Sequence, residues 1–330
     1  MDNCLPHKVT VEFGDPQYYG TMGVVPLIVD GPPGPAYITL NEAIRKSLLT
    51  VSEVSEGGSV PQLKLVSTAD VPILLLDGEE LMGAKQNRVL NTTILVPPRA
   101  AMAIPVTCTE HGRWSYTSRT FADSDVLMAS QIRRKKAQAV SDSLRNQRSY
   151  ASDQAQVWNE IHMMSAKMKV ASPTGAMKDA FEVQKPRIEE YLSAFPVVPH
   201  QRGLMVSIGG KIVGLELLSQ EDAYASLHGK LVKSYAMEAI AEDGKTGEPI
   251  TPEKAMAFLK EADTCTEERF QSVGMGWDCR FRGPSMVGSA LLVDEAPIHM
   301  AFFRQEDGPR HIDDPGPMAG FRSRRSHYSH

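Results

Sequence analysis

Residues 70 to 98 read DVPILLLDGEELMGAKQNRVLNTTILVPP, and the fold turns on how this stretch is divided. Ile73 to Leu76 and Ile94 to Val96 are short aliphatic runs closed by Gly or Pro, the pattern of strands buried on both faces. Between them stand Asp77, Glu79, Glu80, Lys85, Gln86, Asn87, Arg88 and Asn91, far more polarity than a plain connection needs. Gly78 and Gly83 let the backbone turn sharply and bring its amides close to a ligand. Gln86, Asn87 and Asn91 each offer donors and acceptors, and Arg88 offers a planar fork suited to carboxylate or phosphate. The set reads as a loop at the rim of a core that recognises a polar, anionic small molecule. The competing reading is a long hairpin loop whose amides satisfy their own backbone.

Short strands continue on either side. Val24 to Val29, Leu49 to Val54, Leu63 to Val66 and Ala101 to Thr109 read as strands, with a short helix from Asn41 to Leu48 capped by Asn41. Most connections are too short for helical crossovers, so an antiparallel or mixed sheet is expected in place of a doubly wound one. From about 124 to 195 the chain reads as helical, with an apolar stripe at Met177, Phe181, Ile188, Tyr191, Leu192 and Phe195 that Pro186 interrupts. GLMVSI and IVGLELL flank Gly209 and Gly210 as a hairpin, a helix follows over 222 to 241, and GKTGEPITP at 244 to 252 breaks it. Three late strands are expected, Phe270 to Val273, Met286 to Val293 and Ile298 to Phe303. The fold expected is α+β, with mixed, mainly antiparallel sheets and a helical middle segment, as one intertwined domain over residues 1 to 305. Residues 306 to 330, rich in Gly, Pro, Arg and His without periodicity, are expected to form a mobile tail.

With 330 residues, 42% apolar and 23% charged, the composition is that of a globular protein with a sizeable core. A net charge of −5 argues against a surface built to hold a nucleic-acid backbone. Cys4, Cys108, Cys265 and Cys279 are widely spaced, without a C-x-x-C pair or a zinc-site spacing, which favours a reducing compartment. No signal-peptide pattern opens the chain, and no apolar run approaches the roughly 18 residues of a membrane helix. A cytoplasmic location without a membrane partner is therefore expected.

The segment VTCTEHGRW is the second place where polarity ends an apolar run. Alternation puts Cys108 and Glu110 on one side of a strand, so Glu110 is expected to face the same rim as Glu80 and Arg88. Two carboxylates near a guanidinium can divide the work: one is held neutral as an acid and the other stays ionised as a base. The competing reading is a buried Glu–Arg pair that organises the loop. Trp114 offers a flat surface for a base, or is simply core. Cys108 reads as an inert core thiol, His299 as a core or rim histidine, and His311 with Asp313 as a weak metal-like spacing. No P-loop, G-x-G-x-x-G, G-x-S-x-G or H-E-x-x-H occurs. The expected catalytic residues are thus Glu80 and Glu110, with Glu79, Gln86, Arg88, Asn91, Arg113 and Trp114 binding the ligand, no metal ligands, and the cofactor unknown. In QIRRKKAQ the four bases at 133 to 136 cover every face of a helix, so a solvated face is expected; an RNA or partner contact is the alternative.

DGEELMGAKQNRVLNTTILVPP, together with PVTCTEHGRW at 105–114, DQAQVW at 153–158, SPTGAM at 172–177, GLMVSIGGKIVGLEL at 203–217 and KLVKSYAMEAI at 230–240, closely resembles the ADP-ribosylglycohydrolase- and rhodanese-phosphatase-associated protein domain family. The resemblance covers most of residues 10 to 305 and leaves residues 306 to 330 unmatched. It implies work beside enzymes that process ADP-ribose or phosphorylated species. Two functions follow from it: an enzyme acting on a nucleotide-derived or ADP-ribose-like small molecule, or a non-catalytic sensor or adaptor for a partner enzyme, either one allowing a homo-oligomer. Glu79, Glu80, Gln86, Arg88, Asn91, Glu110, Arg113 and Trp114 match the family's polar motif in identity, without assigned roles.

Overall fold

In the computed structural model, which describes residues 4–32, 34–242 and 248–305, Ile73–Leu75 pairs antiparallel with Ile94–Val96 and parallel with Ile38–Thr39. Both aliphatic strands are buried along their whole length, as runs packed on two faces must be. The polar stretch between them is not the single loop expected. It forms a second hairpin, Glu79–Gly83 with Arg88–Leu90. This hairpin enters a six-stranded sheet in the order Phe121–Leu127, Glu79–Gly83, Arg88–Leu90, Ala101–Cys108, Gln62–Ser67, Leu49–Glu53. A bridge between Ser52 and Thr120 joins its two edges, so the sheet closes into a small barrel. Leu63, Leu65, Leu81, Leu90, Ile104 and Val106 belong to the core it encloses.

A larger sheet, ten-stranded among the described residues, grows from the hairpin Gln201–Ile208 and Lys211–Leu218. Met22–Asp30 pairs on one side, and Ala296–Arg304 followed by Met286–Val293 on the other. Across its face runs the helix Glu221–Glu242, buried on nearly all sides. The architecture is α+β, mainly antiparallel with one parallel pair, as the sequence indicated.

Several boundaries differ. The helical middle begins at Ser130, because Phe121–Leu127 is a barrel strand. Pro186 starts the helix Lys185–Ala194 after Met177–Val183. The early helix spans Leu40–Arg45, and its cap is Thr39, whose hydroxyl accepts from the amide of Glu42. Asn41 instead donates to Asp123 at 2.8 Å. The strand expected at Phe270 to Val273 lies at Thr266–Gln271, and the strands Val9–Phe13 and Trp277–Arg282 and the helix Pro252–Asp263 went unread. The expected tail, with His311 and Asp313, lies outside the described residues, as does part of the breaker GKTGEPITP.

The basic run is the largest correction. On the helix Ser130–Gln147, Arg133 and Lys136 are fully buried. Arg133 places both guanidinium arms on Glu216, at 2.8 and 2.6 Å. Lys136 pairs with Asp77 and donates to the carbonyl of Leu90 at 2.9 Å. Arg134 lies 3.7 Å from Glu238, and Lys135 donates to Glu160 at 2.7 Å. Each base therefore meets an acid on another element, and the helix locks the barrel to the large sheet. Gly78 makes this approach possible: with φ at +86°, a Cβ there would stand 2.9 Å from Arg133 Cδ.

Candidate functional site

Residues directly opposite in an antiparallel pair share a face. Glu80 lies across from Val89, which lies across from Thr107, whereas Arg88 lies across from Leu81 and Cys108. Glu80 thus points out of the barrel and Arg88 into it. The expected convergence of Glu80, Gln86, Arg88 and Glu110 on one cavity does not occur, because a single-residue offset along the hairpin reverses the face.

Arg88 is fully buried at one end of the barrel. Its Nη1 donates to the carbonyl of Gln86 at 2.9 Å, its Nη2 lies 3.8 Å from Glu53 Oε1, and neither Nε nor Nη2 makes a hydrogen bond. Trp114 lies over the guanidinium, 5.7 Å from ring centre to Cζ, and Lys85 Nζ sits 5.3 Å from the same ring. Trp114 is 48% exposed, so it is a cover on the barrel mouth and not core. Cys108 faces the same interior, and burial raises its thiol above the usual range, consistent with an inert group.

Glu110 does find a guanidinium, but it is Arg113. Arg113 Nε donates to both carboxylate oxygens at 2.9 and 3.0 Å, and Nη2 donates to Oε2 at 2.6 Å. The same side chain reaches the carbonyls of Ala84 and Ser115 at 2.7 and 2.9 Å, so it also organises the loop. Burial pushes the Glu110 carboxyl up, but the hydrogen bonds from Arg113, Thr174 and the Asn87 amide outweigh it and hold it below its ordinary range. Glu80 goes the other way. It is fully buried, accepts from Thr109 Oγ1 at 2.7 Å, and has Ser124 beside it. Burial pushes it up to about 7, against smaller opposing effects of Thr109, Ser124 and Lys178.

Glu79 and Asn91, expected to bind ligand, are buried and engaged by other parts of the chain. Glu79 is buried against Lys230 of the long helix at 2.7 Å and accepts the amide of Leu76. Asn91 donates to the carbonyl of Tyr150 at 2.8 Å and accepts from Thr107 at 2.6 Å, which leaves its amide committed.

Beside the hairpin opens a cleft of about 720 Å³. Met82, Asn87, Glu110 and Arg113 line its barrel side; Thr174, Lys178, Asp179 and Glu182 line the other. Lys178 Nζ lies 3.1 Å from Met82 Sδ and 3.8 Å from Glu182 Oε1, and its charge bears on Glu80 below. Sequence reasoning missed the far wall. Its signal was present: in the stripe begun by Met177 and Phe181, positions 178, 179 and 182 carry Lys, Asp and Glu on the face that is left.

The model of the ARG and Rhodanese-Phosphatase-superfamily-associated Protein domain matches residues 10–303, and the chain belongs to that family. The family's name records association with ARG and rhodanese-phosphatase superfamily proteins. No curated protein and no solved structure matches the chain significantly. Among the described residues, no helix is long and apolar enough to cross a membrane.

Proposed function

We propose that this member of the family takes a nucleotide-derived or ADP-ribose-like anion into the cleft and transforms it by carboxylate acid–base chemistry. The observation that carries this reading is the composition of the cleft. Two cations, Arg113 and Lys178, stand in it with a Glu110 held below its ordinary range, and Glu80, a carboxyl pushed up to about 7, lies behind it. Carboxyls whose surroundings push their acidities apart are the usual pair for an acid and a base. In this reading Lys178 holds the anionic groups, the charge of the internally bound Arg113 favours them at a distance, Glu80 donates the proton, and Glu110 positions the attacking water. The barrel mouth is a second candidate subsite in this reading, where Trp114, half exposed over the buried Arg88, offers a ring on which a base stacks.

A second reading has its own support. Glu110 is bound three ways by Arg113 and Glu80 is sealed from solvent, an arrangement that serves a non-catalytic sensor acting with a partner enzyme equally well. Incubation with NAD, ADP-ribose, cyclic nucleotides and phosphorylated RNA ends, followed by mass spectrometry, separates the two. Turnover that disappears in Glu80→Gln supports the enzyme, and saturable binding without product supports the sensor. If none of these compounds is bound or converted, both readings fail.

A further inference from the structure

Far from the cleft, three side chains of different metal-ligating chemistry meet at the edge of the large sheet. His7 stands on the turn Pro6–Lys8, Glu267 on the strand Thr266–Gln271 and Cys279 on the neighbouring strand Trp277–Arg282. Cys279 pairs with Arg269, two residues from Glu267, so the thiol and the carboxylate share one face of the sheet. The turn folds His7 down onto that face, with φ at +62° for His7 and +60° for Lys8, a conformation that non-glycine residues adopt only when the surroundings enforce it. The nitrogen, oxygen and sulfur ligand atoms all lie within 4.8 Å of one another.

We propose that His7, Glu267 and Cys279 form a binding site for a divalent cation of the zinc class, with the fourth position open to water. Two observations on the His7 ring support it, beside the convergence of the three ligand atoms. The first is the buried Nε2 of His7, which makes no hydrogen bond although its side chain is only 8% exposed. The second is its separation from Glu267. Nε2 lies 3.3 Å from Oε2, with no hydrogen-bond geometry between them. Zinc bonds of about 2.0 to 2.1 Å to nitrogen and oxygen, set at a tetrahedral angle, put those ligand atoms roughly 3.3 Å apart. Histidine, carboxylate and thiolate together suit a borderline-soft ion such as zinc better than magnesium or calcium, which take oxygen alone.

The outer contacts fit the same role. Glu267 keeps Oε2 for the site while Oε1 accepts from Arg269 Nε at 2.7 Å, which fixes the carboxylate's orientation. The ring of Phe281 meets the imidazole edge-on, with centroids 6.2 Å apart. Binding takes the proton from the Cys279 thiol and releases it to solvent, so the metal bonds to a thiolate. An ion held here would pin residue 7 to strands more than 250 positions later in the chain, tying down the N-terminal edge of the large sheet. No local spacing of Cys and His announces such a site, because its ligands are distant in sequence.

The test uses the full chain, stripped of metal with a chelator and titrated with Co²⁺. The expected result is a thiolate-to-cobalt charge-transfer band that saturates at one equivalent, is bleached by Zn²⁺, and is absent in Cys279→Ser. His7→Gln lies on a peripheral turn and keeps the test decisive if Cys279→Ser fails to fold. It should lower cobalt affinity by at least about tenfold, since losing even an outer partner of a ligand costs that much. A wild-type chain without the band overturns the proposal. So does a band that survives in Cys279→Ser or binds with unchanged affinity in His7→Gln, because the thiolate then comes from elsewhere.

Discussion

Replacing Arg133 by Met should lower the unfolding free energy by about 3 to 5 kcal/mol, the cost of leaving a buried charge without its partner. Arg133 and Glu216 are both inaccessible to solvent, and both guanidinium arms are committed to the carboxylate. Burial by itself would push Glu216 up, but the Arg133 charge, helped by His299, outweighs it and pulls the carboxyl from 4.5 down to about 2. A depressed folded-state value means that the folded chain binds fewer protons than the unfolded one. Its stabilising contribution is therefore present above about 4.5 and is lost as the pH falls toward 2. Urea titrations at neutral pH measure the loss in Arg133→Met, and the double variant Arg133→Met with Glu216→Leu should recover most of it, since it leaves no charge stranded. A single variant that loses less than about 1 kcal/mol would show that the pair does not hold the helix to the large sheet.

Glu80→Gln should act in the opposite sense. Its folded-state value of about 7 stands above the ordinary 4.5, so between those pH values the folded chain binds the extra proton. Stability then declines as the pH rises from about 4.5 through 7, and the wild-type chain carries that penalty at pH 8. Glutamine keeps the shape of the neutral acid and accepts the same hydrogen bond from Thr109 without ever ionising. At about 1.4 kcal/mol for each pH unit of displacement, the variant should exceed wild type by on the order of 3 kcal/mol at pH 8 and equal it near pH 4.5. Unfolding titrations at the two pH values measure both. A gain in stability with a loss of turnover is the signature of a group kept for chemistry at the expense of the fold. A variant that is less stable than wild type at pH 8 would mean that Glu80 is ionised and structurally engaged.

The same buried charges explain what the sequence could and could not reveal. Ile73–Leu75, Ile94–Val96, the hairpin around Gly209 and Gly210, and the helix Glu221–Glu242 were legible because their apolar spacing is set locally. Glu79–Gly83 and Arg88–Leu90 were not, because a strand bearing Glu, Glu and Arg looks solvated until its partners are known. Glu79 is satisfied by Lys230, 151 residues away, and Arg133 by Glu216, 83 away. Helical spacing of the run at 133 to 136 carried no hint that acids on other elements surround it. For the candidate site, alternation placed Glu110 at the end of the strand Ala101–Cys108, where it stands, but it had no strand on which to place Glu80. It could not tell that Arg113, three residues on, would outcompete Arg88 for Glu110. The polar face carrying Lys178 was in the pattern, but its place beside Glu110 depends on the loop before Met177–Val183 folding onto the segment after Ala101–Cys108, where His111 and Gly112 donate to the carbonyl of Thr174.

Calorimetric titration of ADP-ribose into wild type and Lys178→Ala tests the cleft itself, whether or not chemistry follows. Lys178 reaches over the cleft with Met82 Sδ at 3.1 Å and an approach of 3.8 Å to the exposed Glu182 one helical turn on, so its removal should change the urea midpoint little. Saturable binding to wild type is expected, with an affinity lower by about 10- to 100-fold in the variant, the loss of one charged hydrogen bond worth roughly 1.5 to 3 kcal/mol. Equal affinity in the two proteins, or no binding to wild type, would contradict it.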